Sequence, residues 1–345
     1  MFREKLISIR KIIKNSFTYE NSSKSRIVYG PVLSRRLGYV IGINNIKSKF
    51  CSYNCVYCPE GQSKQCSVCI DHCISPYEIY MAVRTKLEEL EKSGKSVKYL
   101  VINGRGEPTL DSGLSKTIQL LREFGLKIAV FTNSSLIWDN NVQQNLMCAD
   151  YVSLKLDTVI EDTWYKINRP PRRLDFNAIL NGIKEFSEKY QGHLSTATTF
   201  IKDMNDNQFE INALADFLKE VKCESSCFMT PRYPASDKNA ESPDEEKLQQ
   251  LQSLLKERII NPLLLCCPEN EVFDVTGDFE DEFLGLLSIH PIQVSAVRNY
   301  IRSDEDLEKL KNLIEENFIK EIIQDDKKYY AIEDKKRTVS MRMQI

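Results

Sequence analysis

The sequence predicts an α/β protein in which a partial barrel of about six βα units precedes a small C-terminal domain of helices and two strands. From residue 38 onward, short β-rich runs alternate with longer stretches of helical periodicity. Such alternation is typical of a parallel sheet that is covered by helices and joined by right-handed crossovers. At 345 residues the chain also exceeds what one hydrophobic core usually contains, so a second, smaller domain is expected.

The predicted barrel strands are six runs of β-forming residues. They are residues 38–46, 97–103, 127–132, 151–157, 193–201 and 226–231. The helices expected between them cover 76–94, 111–124, 140–148, 175–190 and 207–222. In parallel α/β barrels the active site lies at the C-terminal ends of the strands, which here selects loops 47–60, 103–109, 133–135 and 157–169.

The N-terminal segment is expected to form an amphipathic helix and a linker before the barrel. In residues 2–17, apolar side chains recur every three or four positions, opposite basic ones. We interpret this pattern as a helix packed on the protein surface, with binding to a membrane surface as the alternative. The polar residues 18–29 that follow are interpreted as a linker.

Composition and charge exclude several classes of protein. The formal net charge is −2, which argues against a protein built wholly around phosphate contacts. No apolar run approaches the roughly 20 residues that span a bilayer, and basic residues interrupt the N-terminal apolar ones, unlike in a secretory signal. We therefore expect a cytoplasmic protein without a membrane span, whose 11 cysteines stay reduced and available to bind metal.

Cys51, Cys55 and Cys58 form a CxxxCxxC motif directly after the first predicted strand. Three thiolates at this spacing can bind a 4Fe–4S cluster and leave its fourth iron without a protein ligand. That iron can chelate the amino and carboxylate groups of S-adenosylmethionine (SAM), whose reductive cleavage yields a 5′-deoxyadenosyl radical. A structural zinc site or three unconnected thiols are the alternatives, but a zinc site usually needs four ligands in two pairs.

Several stretches, in order along the chain, resemble one known family. They are YGPVLSRRLGYVIGI, CSYNCVYC, NGRGEPTL, FTNSSLI, LKLDT and INRPP. Through them, residues 28–332 resemble the radical SAM proteins grouped with the wyosine tRNA-base synthases, especially prokaryotic members with a C-terminal winged helix. The resemblance implies a partial (βα)6 radical SAM barrel with a small winged-helix-like domain, sensitivity to oxygen, and an electron donor such as flavodoxin or ferredoxin.

An RNA or tRNA base is the substrate that the resemblance favours, and this expectation rests on family analogy alone. A peptide or a small metabolite is the alternative within the same chemistry. From another class, the chain could be a non-enzymatic iron–sulfur redox regulator that binds DNA through its C-terminal domain. Such a regulator does not need residues that contact SAM. The presence of Gly106 and Glu107, which match the SAM-binding motif of the family, therefore favours the enzyme.

SAM-binding roles also follow from the resemblance. Tyr57 is expected to lie against the adenine, with packing on the barrel as the alternative. Gly106 and Glu107 are expected to meet the methionine ammonium, because glycine permits a close approach. Asn133 and Ser153 are candidates for contacts with the SAM ribose or carboxylate, or for ordinary hydrogen bonds at strand ends.

Lys155 departs from the family pattern, since relatives generally have a small hydroxyl residue at this position. It could bind an anionic substrate or form a salt bridge with Asp157. Arg169, like Arg35 and Arg36, matches an arginine position of the family and could anchor substrate or SAM, or cap the barrel rim. The candidates for catalytic roles are therefore Lys155, Asp157 and Arg169.

A second cysteine group follows the first, and the matching family segment is usually charged instead. Cys66, Cys69 and Cys73, with His72 among them, could hold an auxiliary iron–sulfur cluster or a zinc ion. Candidates for a fourth ligand are Cys223, Cys227, Cys266 and Cys267. The alternative is a group of thiols that binds no metal.

The domain boundaries follow from a change in the order of predicted helices and strands after the barrel. Residues 1–28 precede the barrel at 29–235, residues 236–277 connect, and residues 278–345 form the winged-helix-like domain. Its predicted elements are helices at 281–290, 293–302 and 304–317 and strands at 318–323 and 328–332. Basic residues near the C-terminus favour contact with nucleic acid such as RNA. The acidic helix at 304–317 argues against it and leaves contact with protein, dimerisation or packing as a lid as the alternatives.

Overall fold

The structure, a computed structural model, describes residues 27–46, 50–61, 65–66, 74–235, 237, 239–266, 277–324 and 326–333, with only the main chain at 65–66. The helix predicted at 2–17 lies outside these residues, as do Cys69 and Cys73. No helix in the described part of the chain is long and apolar enough to cross a membrane.

The secondary structure alternates along most of the chain. The strands are β1 (Val28–Ser34), β2 (Gly38–Ile43), β3 (Phe50–Cys51), β4 (Gln65–Cys66), β5 (Tyr99–Ile102), β6 (Lys127–Thr132), β7 (Tyr151–Lys155), β8 (His193–Thr199), β9 (Ser225–Met229), β10 (Pro262–Leu264), β11 (Ile292–Gln293), β12 (Ile319–Gln324) and β13 (Lys327–Ile332). The helices are α1 (Pro76–Lys92), α2 (Leu114–Leu121), α3 (Asn140–Leu146), α4 (Glu161–Asn168), α5 (Phe176–Lys189), α6 (Gln208–Leu218), α7 (Glu245–Arg258), α8 (Phe279–Leu287), α9 (Val294–Val297) and α10 (Asp304–Glu315).

One curled sheet of eight strands forms the partial barrel, in the order β1-β2-β5-β6-β7-β8-β9-β10. β1 is antiparallel to β2, and every later pair in the sheet is parallel. The α/β class and the partial barrel are therefore confirmed. The strands β2 and β5 to β9 are the six that the sequence predicts.

Three elements of the barrel were not predicted. β1 begins at Val28, so the predicted linker is wrong at its last two residues, because Gly30 and Pro31 interrupt the alternation that marks a strand. β10 has only three residues and lies in the predicted connecting segment. α4 occupies much of the predicted loop 157–169 and buries Trp164 and Ile167 on one face.

Successive side chains of each strand point to opposite faces of the sheet. On β2, Ile41 and Ile43 pack with the helices, whereas Val40 faces the barrel lumen. Leu37, in the turn between β1 and β2, packs in the lumen against Val40 and Tyr151. The lumen is thus filled at the N-terminal ends of the strands, which leaves their C-terminal ends for a site.

The C-terminal domain has a three-stranded sheet in the order β11-β13-β12, with α8, α9 and α10. Its apolar core includes Tyr29 of β1, and a buried ion pair of 2.5 Å joins Lys86 of α1 to Glu282 of α8. The helix predicted at 293–302 is α9, which has only four residues, and β11 was not predicted. The assignment as a winged helix stays a prediction.

Candidate functional site

The loop with Cys51, Cys55 and Cys58 lies at the C-terminal ends of the barrel strands. Main-chain hydrogen bonds hold it against the end of α4: Asn54 N donates to Asn168 O at 2.9 Å, and Val56 N donates to Ile167 O at 2.9 Å. The cysteine loop is therefore positioned by a helix that the sequence analysis did not predict.

The three thiols of this loop are partly buried. Burial raises the pKa of Cys51 well above its ordinary value, and negative charge on Cys55 raises it further. Burial raises the pKa of Cys55 to about 12, with Asp157 as the next cause. Cys58 contributes to both shifts, so these thiolates would repel one another unless a cation compensated their charge.

The donor set fits an iron–sulfur cluster with one open iron, because it offers three cysteines and further hydrogen-bond donors to sulfur. Asn133 Nδ2 lies 3.4 Å from Cys51 Sγ, and Asn168 Nδ2 lies 3.4 Å from Cys55 Sγ. Among the residues that the structure describes, no three His, Cys, Asp or Glu side chains are already arranged to hold a metal ion. Cluster binding would therefore turn the thiols towards one centre.

Gly106 brings the loop after β5 into contact with the cysteine loop. Glu107 N donates to Phe50 O at 3.0 Å, immediately before Cys51. A Cβ atom at Gly106 would lie 1.7 Å from Phe50 O, so only glycine fits this position. The backbone of the predicted SAM-binding loop therefore supports β3, a role that the sequence analysis did not anticipate.

The Glu107 carboxylate is buried and accepts hydrogen bonds from the turn that follows it and from the end of β6. Oε1 accepts from the main chain of Thr109 at 3.0 Å and from the hydroxyls of Thr109 and Thr132 at 2.6 and 2.5 Å. Oε2 accepts from Asn133 N at 2.6 Å. Burial raises the pKa of Glu107, although these hydrogen bonds oppose the shift. The predicted contact with the methionine ammonium stays a prediction.

Asp157 is the centre of a second network, on the other side of the cysteine loop. Its Oδ2 accepts from Tyr57 Oη at 2.5 Å and from Asn168 Nδ2 at 2.8 Å. Its Oδ1 lies 3.3 Å from Lys155 Nζ, which also lies 5.0 Å from the centre of the Tyr57 ring. Burial and the negative charge of Asp157 raise the pKa of Tyr57 well above its ordinary value. The salt bridge between Lys155 and Asp157, which was one of the two roles predicted for Lys155, is thus present.

Arg169 does not join this network. It has a left-handed backbone with φ of 46°, and its guanidinium pairs with Asp237 at 2.5 Å. The main-chain N–H of Asp237 in turn donates to Val56 O at 3.0 Å. Arg169 therefore ties the segment after the barrel to the cysteine loop, while Lys155 and Asp157 face the lumen.

The structure also describes Ser153 and three of the four cysteines considered as a fourth ligand. Ser153 is buried in the lumen and accepts a hydrogen bond from Arg36 Nη1 at 2.9 Å. Cys227 is fully buried beside Ala197 and Leu265, and Cys223 lies near Ser226. Cys266 is also buried, and its thiol donates to Phe228 O at 3.5 Å. Cys267 lies outside the described residues.

Of the second cysteine group, the structure describes only the main chain of Cys66. In the short parallel pair of β3 and β4, Cys66 is the register partner of Cys51. The side chain of Cys66, with all of Cys69 and Cys73, lies outside the described residues, so the predicted auxiliary site is not tested.

Sequence comparison identifies relatives of this chain. Residues 45–214 match the radical SAM superfamily. Over 314 residues, the chain is 34% identical to a UPF0026 protein of Methanocaldococcus jannaschii, covering 90% of this chain and 97% of the relative.

Solved structures show the same fold at low sequence identity. TYW1 with a lysine-pyruvate adduct bound has a TM-score of 0.51 and 17% identity, over 68% of this chain and 76% of that one. Streptococcus suis SuiB bound to its precursor peptide SuiA has a TM-score of 0.53 and 16% identity, over 75% of this chain and 54% of that one.

Proposed function

This chain belongs to the radical SAM superfamily, and we propose that it cleaves SAM reductively at a 4Fe–4S cluster held by Cys51, Cys55 and Cys58. The observation that carries the proposal is the placement of these thiols on one loop at the open end of the barrel, near donors to sulfur. When bound, the cluster supplies the electron that breaks the carbon–sulfur bond of SAM, and the 5′-deoxyadenosyl radical then abstracts hydrogen from a substrate. Family membership does not support the non-enzymatic regulator.

Side chains around the loop would orient SAM. Tyr57 is fixed by its hydrogen bond to Asp157, and we assign its ring to the adenine. Since Glu107 Oε1 already accepts three hydrogen bonds and Oε2 accepts one, the methionine ammonium would be bound through Oε2. Asn133 and Ser153 are assigned to the polar groups of SAM that remain.

Anaerobic iron and sulfide analysis, EPR and detection of 5′-deoxyadenosine test this proposal. The wild type should form 5′-deoxyadenosine from SAM and dithionite, and SAM should change its EPR signal. The Cys51/Cys55/Cys58→Ala variant should form none. Cys148→Ala is the matched control, because that thiol lies just after the end of α3 and donates to Gln144 O. A wild type that neither cleaves SAM nor responds to it by EPR contradicts the proposal.

A second metal site at Cys66, Cys69 and Cys73 is a further part of the proposal, as an auxiliary iron–sulfur cluster or a zinc ion. The register pairing of Cys66 with Cys51 supports it, because the second group then begins beside the first. If the site holds a 4Fe–4S cluster, the Cys51/Cys55/Cys58→Ala variant should keep about four irons per chain. Loss of all iron and zinc from that variant contradicts the second site.

For the substrate, we propose an RNA or tRNA base, by the resemblance to the wyosine-synthase group. A peptide, as in SuiB, or a small metabolite is the alternative. The acidic exposed residues Asp304, Glu305 and Glu308 of α10 make this helix unsuited to a phosphate backbone and favour a protein contact for the winged-helix-like domain. Stimulation of 5′-deoxyadenosine formation by total tRNA, abolished by ribonuclease, would support RNA, and no stimulation would contradict it.

Reduction of the cluster needs an electron donor, and a flavodoxin or ferredoxin is proposed for this role. This donor, like the expected oxygen sensitivity, follows from the proposed chemistry, whereas the cytoplasmic location stays the prediction made from the sequence. Replacement of dithionite by a reduced flavodoxin in the 5′-deoxyadenosine assay tests it, and absence of product with flavodoxin and ferredoxin alike would contradict it.

A further inference from the structure

Arg36 extends from the turn between β1 and β2 into the barrel lumen. Its Nη1 donates to Ser153 Oγ at 2.9 Å, and its guanidinium carbon lies 4.2 Å from the centre of the Phe131 ring. Among the described residues, no carboxylate forms an ion pair with Arg36. A partly buried guanidinium with only neutral partners is costly, because buried charges are normally paired with an opposite charge.

Lys155 places a second positive charge in the same lumen. It lies two residues after Ser153 on β7, so both side chains point to one face of the strand, about 7 Å apart along it. Lys155 donates to Thr199 Oγ1 and keeps 18% of its side chain exposed. Its partner Asp157 also accepts hydrogen bonds from other groups, including Thr199 N at 2.8 Å. The Asp157 charge is therefore shared and does not neutralise both cations.

The strands beside Lys155 contribute small side chains. Ala197 of β8 is the register partner of Lys155, and Cys227 of β9 is the register partner of Ala197. Burial raises the pKa of the Cys227 thiol, whereas the positive charges of Arg36 and Lys155 oppose that shift. Arg36 bonds to Ser153, and Lys155 extends from the same face of that strand two residues further on, so both cations lie along one stretch of the lumen beside Cys227.

We propose that Arg36 and Lys155 together bind an oxyanion group, a phosphate or a carboxylate, of the substrate that the radical modifies. The planar guanidinium can bind two oxygens of such a group, and the ammonium can bind a third oxygen of a phosphate or share one of the two oxygens of a carboxylate. The hydroxyl of Thr199, next to Lys155, is then a further donor. The inference rests on the proposed function in calling the ligand a substrate, whereas the anion site itself is a property of the barrel.

Anion binding to the full chain tests the site without any enzymatic activity. Inorganic phosphate and acetate are the probes, with chloride at equal ionic strength as the reference, in calorimetry and thermal unfolding. At least one oxyanion should bind and raise the midpoint of unfolding, and preference between the two identifies the group. Arg36→Gln and Lys155→Met should each weaken binding about tenfold or more, since each removes a charge-assisted hydrogen bond.

Controls separate a specific site from general effects of charge and folding. Arg173→Gln removes an exposed arginine outside the lumen and should bind the probe as the wild type does. Arg36→Lys keeps the charge but not the forked geometry, so its affinity should lie between those of wild type and Arg36→Gln. Equal affinity in wild type and Arg36→Gln, with native circular dichroism in both, would overturn the proposal.

SAM carries a carboxylate of its own, which could occupy the same cations. Binding of the probe should therefore persist when SAM is saturating, and displacement by SAM would overturn the assignment to the substrate. The same titration on the Cys51/Cys55/Cys58→Ala variant needs no cluster. An anion site in a protein that never cleaves SAM would refute the proposed function alone, and SAM cleavage without an anion site would refute this inference alone.

Discussion

Replacement of Gly106 by alanine should abolish cluster binding without unfolding the chain. The added Cβ would lie 1.7 Å from Phe50 O, whereas real Cβ contacts are essentially never below 3.0 Å, so β3 must retreat by about 1.3 Å. Such a shift at Phe50 carries Cys51 with it, whereas metal–ligand distances in proteins stay within about 0.2 Å of their ideal values. The crowding itself should lower the free energy of unfolding by about 1–3 kcal/mol.

Iron content per chain, measured beside the thermal midpoint of unfolding, separates these two effects. Gly94→Ala is the matched control, because its φ of 69° strains an alanine while nothing lies within 4 Å of the added Cβ. That strain costs about 1–2 kcal/mol. The control should therefore lose stability and keep its iron. Wild-type iron content and an unchanged response to SAM in Gly106→Ala would refute the argument that Gly106 positions the cysteine loop.

Asn168→Ala removes an amide that lies 3.4 Å from Cys55 Sγ and should lower the reduction potential of the bound cluster, since hydrogen bonds to sulfur raise it. An unchanged midpoint in an EPR redox titration would contradict this. Glu282→Gln leaves the buried Lys86 ammonium without that carboxylate and should cost about 3 kcal/mol in urea unfolding. A loss near zero would show that the ion pair does not support the domain contact. Burial lowers the pKa of His290 from 6.5 to about 4, so the unfolded state takes up the proton first and stability should fall as pH decreases from 6.5 towards 4. His290→Phe should flatten that slope, and an identical slope in the variant would contradict the assignment.

Local patterns account for the parts of the protein that the sequence predicted well. A strand or helix of the barrel is recognised by apolar residues that recur with a period of 2 or 3.6 within its own sequence. The cysteines of the first group lie within eight positions, so their proximity follows from chain connectivity alone. β1 and β10 lacked such a signal, since one contains Gly30 and Pro31 and the other has three residues.

The sequence by itself determined the fold class, the six central strands and the cysteine loop, because each depends on neighbours along the chain. Only the tertiary structure decided the partners of the polar side chains. Arg36 meets Ser153 across 117 positions, and Glu107 accepts hydrogen bonds from residues 25 and 26 positions away. These contacts depend on the curl of the sheet, which brings the C-terminal ends of its strands together. No local sequence pattern encodes contacts between residues so far apart in the chain. For this reason only the folded chain shows that Arg36 and Lys155 lie in the same lumen.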